Sequence, residues 1–339
     1  MDASLVTLAI VPRERFSFAQ RSLECILANT LSNVELIYVD GNSPAQVRNS
    51  LEATCGDRNA RFIDNDTYLS PNVARNLAAA HVRTKYVAFV DNDVLASPGW
   101  LEKLVACAEE TQAWAVGPLY CQGEPAGTEI HMAGGTAHFY EQEGNRFFRE
   151  AHTSCGKSVS QVASTLRRQP VELLEFHTLL LRTDTFDRFG PLDEGYLSVH
   201  EHVDVCLTLR HAGLGVFMEP NSITTYVGPL PLADYDRDFF ALRWCDAWNR
   251  LSMQHFRAKW DLCAADPGLQ HAIDWACNHR CKVLTTWQTL LRPLGRKRAR
   301  KLIALYEASH SRKRFQLEAC RPGHPFSGGR THQTHNAVA

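Results

Sequence analysis

Three short stretches of this 339-residue chain hold side chains whose types and spacing suit chemistry. The first is Asp91-Asn92-Asp93, which closes the apolar run YVAFV. Two carboxylates and an amide at the end of a buried strand are unfavourable unless a cation offsets them. Oxygen donors suit Mg2+ or Mn2+, which would also bridge the two phosphates of a sugar nucleotide and stabilise a departing diphosphate. Asp91 and Asp93 are therefore the expected metal ligands. The second is Asp40, which closes VELIYV ahead of Gly41-Asn42-Ser43. A carboxylate there could accept hydrogen bonds from a base or ribose, and an Asp-Gly turn that merely ends a strand is the plainer alternative.

The third stretch, His200-Glu201-His202-Val203-Asp204, opens a helix. Acids in a first turn favour the helix dipole by about 0.3–1 kcal/mol, so capping alone would explain them. The functional reading is a general base for an acceptor hydroxyl. Glu201 and Asp204 are three apart and share a helix face, and His202 adds a second type of base. The order is not His-Glu-x-x-His, which excludes a zinc-protease site on spacing.

The elements that must position these residues alternate between two periodicities. Apolar runs at 5–11, 34–39, 61–63 and 86–90 read as strands, and segments 17–29, 44–55 and 72–82 as helices, the last opened by Ser70-Pro71. Ser97-Pro98 starts another helix. Strand–helix repetition of this kind predicts an α/β fold with a mostly parallel sheet covered on both faces. Between 113 and 227 the pattern loosens into strands at 114–120, 129–132, 173–181, 216–218 and 223–227. Helix 201–212 is closed by Gly213. His131 and the pair Gly134-Gly135 are unusual for a plain strand; the glycines admit either a β-bulge or the close approach of a ligand or another backbone. After Pro231 only helices are expected, at 234–261, 270–291 and 296–309, with no periodicity beyond Pro322. The expected domains are 1–230, with a nucleotide-sugar half to about 120 and an acceptor half after it, then a helical extension over 231–321 and a disordered tail over 322–339.

Composition narrows the classes. A net charge of −1 argues against a nucleic-acid partner for the chain as a whole. Residues 292–314 nevertheless hold nine basic side chains against one acid, Glu307. That stretch could make peripheral contact with an anionic membrane surface, or be a solvated helix. Eleven cysteines at irregular spacing, with no leader-like segment before them, fit reduced thiols in a cytosol better than a disulfide framework. No run approaches the ~20 apolar residues of a membrane span. The expected location is the cytoplasm, with contact at the inner membrane face. Phe240, Trp244, Trp248, Phe256 and Trp260 form a helical aromatic stripe, read as core packing or as a platform for an acceptor.

In this order and spacing, the motifs resemble family 2 of the inverting glycosyltransferases with the GT-A fold. The resemblance spans about residues 4–228. It rests on a first strand ending at Pro12, then VELIYVDGNSP, Ala74-Arg75-Asn76-Leu77, KYVAFVDNDVLASPGWLEKLV, LLLRTDTFDRFGPLDEGYLS and HEHVDVCLTLRHAG. It implies metal-dependent transfer of a sugar, with inversion, from a nucleoside-diphosphate sugar to a glycan, glycolipid or small-molecule acceptor, in surface glycan or glycolipid synthesis. Pro12, Asp40, Arg75, Asn76, Asp91 and Asn92 would bind the donor, with Mn2+ or Mg2+ on Asp93 and Asp91. The family usually shows Glu-Asp-x-Asp at the helix, the first Asp being the base; His202 stands at that position here. The base is thus left among Glu201, His202 and Asp204, and the alternative is a catalytically weakened nucleotide-sugar-binding or scaffold subunit. A sugar-nucleotide pyrophosphorylase would need glycines after the first strand, where this chain has Pro12-Arg13-Glu14-Arg15.

Overall fold

Apolar runs of five or six residues become the centre of a sheet. β1 (Val6–Val11) and β4 (Tyr86–Asp91) are buried at every position, as expected of strands covered on both faces. They pair in parallel, and β2 (Glu35–Val39) and β3 (Arg61–Ile63) continue the parallel set beyond β1. The crossovers are α1 (Ala19–Ala28), α2 (Ala45–Gly56) and α3 (Pro71–Ala79). Ser70 and Pro71 open α3 as expected, although the Ser70 side chain makes no capping bond. The fixed φ of proline therefore sets this helix start. The computed structural model describes residues 5–30, 34–228, 231–281, 290–295, 298–299, 301–302 and 305.

After β5 (Val94–Ala96), helix α4 (Trp100–Thr111) starts from Gly99, whose φ of +70° is left-handed, rather than from Ser97-Pro98. β6 (Ala115–Gln122) and β7 (Glu129–Met132) follow. Then comes a hairpin that the sequence reading missed, β8 (Gly135–Gln142) and β9 (Asn145–His152). Its two-residue turn, Glu143-Gly144, has φ of 52° and 74°. Positive φ at both turn positions belongs to the type I′ class, usually signalled by Asn-Gly. Here Glu-Gly and strands rich in exposed polar residues hid it.

α5 (Val159–Val162) and β10 (Gln169–Pro170) lead to β11 (Thr178–Arg182), which is shorter than the strand expected over 173–181. α6 (Asp184–Phe189) and α7 (Glu201–His211) precede β12 (Val216–Tyr226). Gly213, at φ +72°, donates its N–H to Arg210 O and closes α7 as anticipated. The two strands expected at 216–218 and 223–227 are one, with an irregularity between Glu219 and Ile223. The sheet order is β10-β12-β6-β11-β4-β1-β2-β3, with β5 on β12 and β7 on β6. It is mixed: β11 runs antiparallel to both neighbours, and β12 runs parallel to β6.

The helix expected over 234–261 is divided. α8 (Arg237–Arg243) ends before Cys245, which takes an extended conformation and caps α9 (Asp246–Trp260) by accepting Trp248 N–H on its thiol. α8 and α9 belong to the compact unit 1–276 together with the sheet. α10 (Pro267–Cys281) follows. Most of the basic stretch 292–314, and all of the tail over 322–339, fall outside the described residues. Among the described residues no helix is long and apolar enough to cross a membrane.

Candidate active site

Parallel pairing brings the carboxyl ends of β1, β2 and β4 to one edge, where ligands bind in open α/β sheets. Val11 stands opposite Asp91 in the register, so the loop after β1 and the Asp91-Asn92-Asp93 turn meet. Asn92 stitches them: its side chain accepts Arg13 N–H at 3.1 Å and donates to Arg15 O at 3.0 Å. Both ends of its amide thus bond the loop after β1. Pro12 packs so tightly on Gly41 that a Cβ there would lie 2.8 Å from the proline ring.

Asp91 and Asp93 are both fully buried, yet their surroundings differ. Asp91 Oδ1 accepts from Arg75 Nη2 at 3.1 Å, and Arg13 Nε lies 3.4 Å from Oδ2. Burial alone would raise its pKa, but Arg13, His177 and Arg75 outweigh it and hold the carboxyl below its usual range. For Asp93, burial and the neighbouring Glu14 and Asp91 raise the pKa well above the usual range, against the pull of Arg15 and Arg13. Neither Asp93 oxygen has a hydrogen-bond partner. His177 Nδ1 lies 3.2 Å from Asp91 Oδ2 without the alignment of a hydrogen bond, so both those atoms are also unsatisfied. Buried polar groups are rarely left so. One ligand atom from each of Asp91, Asp93 and His177 lies within 4.8 Å of the others. These orphaned oxygens and nitrogen are the donor set a divalent cation would satisfy, and the residues fit that ion.

Glu201, in the first turn of α7, joins this cluster. Its Oε1 is 3.3 Å from Arg243 Nη2 and 3.9 Å from both Arg75 Nη1 and Arg13 Nη1. Burial pushes its pKa up, but Arg243, His202, Arg75 and Arg13 bring it below the usual range. Arg243 comes from α8 and also donates to Ser198 O; burial brings its pKa down to about 10, so it stays charged at neutral pH. The neighbouring Trp244 donates its indole N–H to Glu14 at 2.6 Å, and Tyr226 donates to the other Glu14 oxygen. The Arg75 guanidinium lies 4.0 Å from the Phe176 ring centroid. Four guanidiniums (Arg13, Arg15, Arg75, Arg243) thus stand among four carboxylates (Glu14, Asp91, Asp93, Glu201).

The other expected bases point elsewhere. Although Glu201 and Asp204 are three apart on one helix, they do not share partners. Asp204 accepts from Lys259 Nζ at 2.7 Å, Tyr196 Oη at 2.9 Å and Trp260 Nε1 at 3.0 Å. It lines a separate pocket with Asp193, Leu192 and Thr208. Asp193 there pairs with His255 at 2.9 Å and Lys259 at 2.8 Å. His202 turns toward a third group: its Nε2 is 3.6 Å from Glu175 Oε1, which His131 and His152 approach at 3.7 and 3.5 Å.

Among the expected donor-binding residues, Asp40 is buried and accepts Ser43 N–H at 3.0 Å, the geometry of a strand-ending turn; burial raises its pKa. Asn76 leaves the cluster: it bonds Leu192 O at 2.8 Å, Leu192 N at 2.9 Å and Glu194 at 2.9 Å, and so anchors the loop before α7. Arg13, His177, Glu14 and Arg243 were not anticipated. Only Arg13 carried a sequence signal, a cation at the end of the first strand; the others reach the site through tertiary packing alone. The aromatic stripe is largely core, with Phe240, Trp244, Trp248 and Phe256 buried, while the indole N–H groups of Trp244 and Trp260 serve Glu14 and Asp204.

Residues 9–165 match the model of Glycosyl transferase family 2. No curated protein matches the chain. A crystal structure of GalNAc-T7 with UDP, GalNAc and Mn2+ is similar at a TM-score of 0.52 and 12% identity, over 84% of this chain and 58% of that one. A structure of residues 1–349 of S. aureus TarS in complex with UDP gives a TM-score of 0.46 at 15% identity, over 84% of this chain and 72% of that one. At such identities the GalNAc-T7 likeness speaks for the fold, and the chain spans 58% of that protein's length.

Proposed function

We propose that this chain, whose residues 9–165 match Glycosyl transferase family 2 on a GT-A fold, moves a sugar from a nucleoside-diphosphate sugar to an acceptor hydroxyl with inversion. The observation that carries the reading is the set of unsatisfied, fully buried atoms on Asp91, Asp93 and His177 at the end of β4. Those three residues would hold the cation, and an imidazole among the donors favours Mn2+ over Mg2+. When bound, the cation would neutralise charge on the departing diphosphate.

The remaining steps fall to the chain's own residues. Arg13, Arg75 and Arg243 neutralise Asp91 and Glu201 internally, and the same guanidiniums can hold a diphosphate by paired hydrogen bonds. Asp40, at the end of the next strand, is offered to the nucleoside. The acceptor hydroxyl gives its proton to a base at the first turn of α7 while its oxygen attacks the anomeric carbon opposite the leaving diphosphate. Glu201, His202 and Asp204 are the candidates. Synthesis of a surface glycan or glycolipid is the proposed setting, and residues 292–314 are proposed to touch an anionic membrane surface on charge alone. Binding without turnover is the second reading. It is favoured by the ion pairing of Glu201 and by the histidine at position 202.

Calorimetry with a panel of nucleoside diphosphates, each with Mn2+, Mg2+ or EDTA, tests the donor site in wild type and Asp93→Ala. Cation-dependent binding that disappears in the variant is expected. A folded wild type that binds none of them with any cation would overturn the proposal. Release of sugar from the matching donor separates transfer from binding alone.

A further inference from the structure

We propose that His131, His152 and Glu175, with His202 beside Glu175 as a fourth donor, form a second cation site, suited to Zn2+ or a similar late transition metal and separate from the Asp91–Asp93 carboxylates. The four residues come from four places in the fold: β7, the end of β9, the first turn of α7 and the segment just before β11. Their convergence depends on Gly134 and Gly135. Gly134 has φ +68°, and a Cβ on Gly135 would lie 2.7 Å from the backbone oxygen of Ala151. Because neither position carries a side chain, the strand end at 151–153 lies against 133–134, with Ala133 N–H to Thr153 O and Thr153 N–H to Gly134 O at 3.0 Å each. The His152 ring thereby comes to 5.0 Å from that of His131, centroid to centroid.

The distances favour an ion over hydrogen bonds. Glu175 Oε1 is 3.5 Å from His152 Nε2, 3.6 Å from His202 Nε2 and 3.7 Å from His131 Nε2. All three exceed the ordinary range of about 2.7–3.2 Å for N–H···O bonds. They are close to the ligand–ligand edge of about 3.3–3.4 Å set by a tetrahedral ion with bonds of ~2.0–2.1 Å. Ligand atoms of His131, His152 and Glu175 lie within 4.8 Å of one another, and His202 stands outside that set, joined to it by its 3.6 Å approach to Glu175. The four side chains are 10–24% exposed, which leaves an entry path without flooding the site.

The tautomer of His131 also fits. Its Nδ1 lies 3.3 Å from Gln122 Oε1, a carbonyl that can only accept. The proton therefore belongs on Nδ1, and the Nε2 lone pair faces Glu175. A ligating histidine held through its other nitrogen is the usual outer-shell arrangement. Imidazole-rich donors select Zn2+, whereas the carboxylate pair on β4 suits Mn2+ or Mg2+. The inference rests on this cluster alone and would stand even if the chain transferred no sugar. An ion there would take up the His202 lone pair and leave Glu201 and Asp204 as the candidate bases.

The full chain, stripped with a chelator and dialysed, would be titrated with Zn2+ and then with Co2+. Wild type should show a tight site whose Co2+ form has the visible ligand-field bands of a tetrahedral centre. Asp93→Ala should retain it, which distinguishes it from the donor site. His152→Ala should abolish it, and Gln122→Leu, which touches no ligand atom of the ion, should weaken it by about 10–100-fold. Circular dichroism would verify that each variant is folded. Absence of tight Zn2+ binding in wild type, or a folded His152→Ala and Glu175→Gln that both keep it, would overturn the proposal. The cluster would then be an ion-pair network.

Discussion

The Asp91–Asp93 cluster and the His131–Glu175 cluster are neighbours, joined where His131 and His177 face each other at 5.5 Å, yet they treat charge in opposite ways. The first is sealed. Asp91, Asp93, Glu201, Arg75 and Arg243 are each at most 2% exposed, and most of the charge is cancelled by guanidiniums at fixed positions. The second is partly exposed and gathers three imidazoles around Glu175, with Glu150 also acting on His152 and His202. Buried carboxylates need a counter-charge built in, because they cannot readily give up charge except by holding a proton, as the raised pKa of Asp93 illustrates. Imidazoles near neutrality can adapt, so their cluster tolerates partial hydration. The difference suits a hard cation to the first cluster and a softer one to the second.

Stability measurements should separate the two clusters most strongly. Arg75→Ala leaves Asp91 and Glu201 short of a buried partner, and loss of about 3–5 kcal/mol is expected in chemical denaturation. His152→Ala removes a partly exposed imidazole and should cost less than about 1 kcal/mol. Equal losses would break the comparison and mean that the imidazole cluster is as sealed as the other.

Turnover is the next discriminator. The three candidate bases stand in three environments: Glu201 among arginines, His202 beside Glu175, Asp204 bound by Lys259, Tyr196 and Trp260. Once a donor and acceptor are known, the variant lacking the base should lose about 10²–10⁴ in kcat. Asp204→Asn should fall well short of that range, because the Asp204 oxygens are occupied by Lys259, Tyr196 and Trp260. Loss of turnover in a folded Asp204→Asn that still binds donor would place the chemistry on the other side of α7.

The parallel half of the sheet was legible because each element announces itself within a few residues: YVAFV is apolar throughout, and Ser70-Pro71 marks a helix start. Asp91-Asn92-Asp93 was legible for the same reason, as acids at the end of such a run. The rest of the cluster was legible only in part: Arg75 and Glu201 came through the family motifs, whereas Arg13, Glu14, His177 and Arg243 share no local pattern. A lone histidine before β11, or an arginine on a helix otherwise read as core, carries no sign of its destination. Asn92 and Asn76 carry a structural part that their types did not announce, since each bonds backbone groups of a neighbouring loop. The pair Gly134-Gly135 was noticed as odd, and the close approach of a backbone is what it permits.

The Asp193–His255–Lys259 group offers the finest test, as a screened counterpart to the sealed arginines. Burial would raise the Asp193 pKa, but His255 and Lys259 outweigh it and depress the carboxyl well below its ordinary value. Its folded pKa lies below the unfolded value of about 3.9, so its contribution is present above that pH and is lost as pH falls toward the folded pKa. The side chain is 26% exposed, so the pair is worth only about 1 kcal/mol. The stability gap between wild type and Asp193→Asn should therefore be about that size at pH 7, shrink in ~1 M salt and begin to close as pH falls below about 3.9. The deficit of Arg75→Ala should largely persist in the same salt, because its partners are buried and such pairs are screened much less. A salt response of the same size in both variants would mean that water enters the arginine cluster, and the contrast between sealed and open sites would fail.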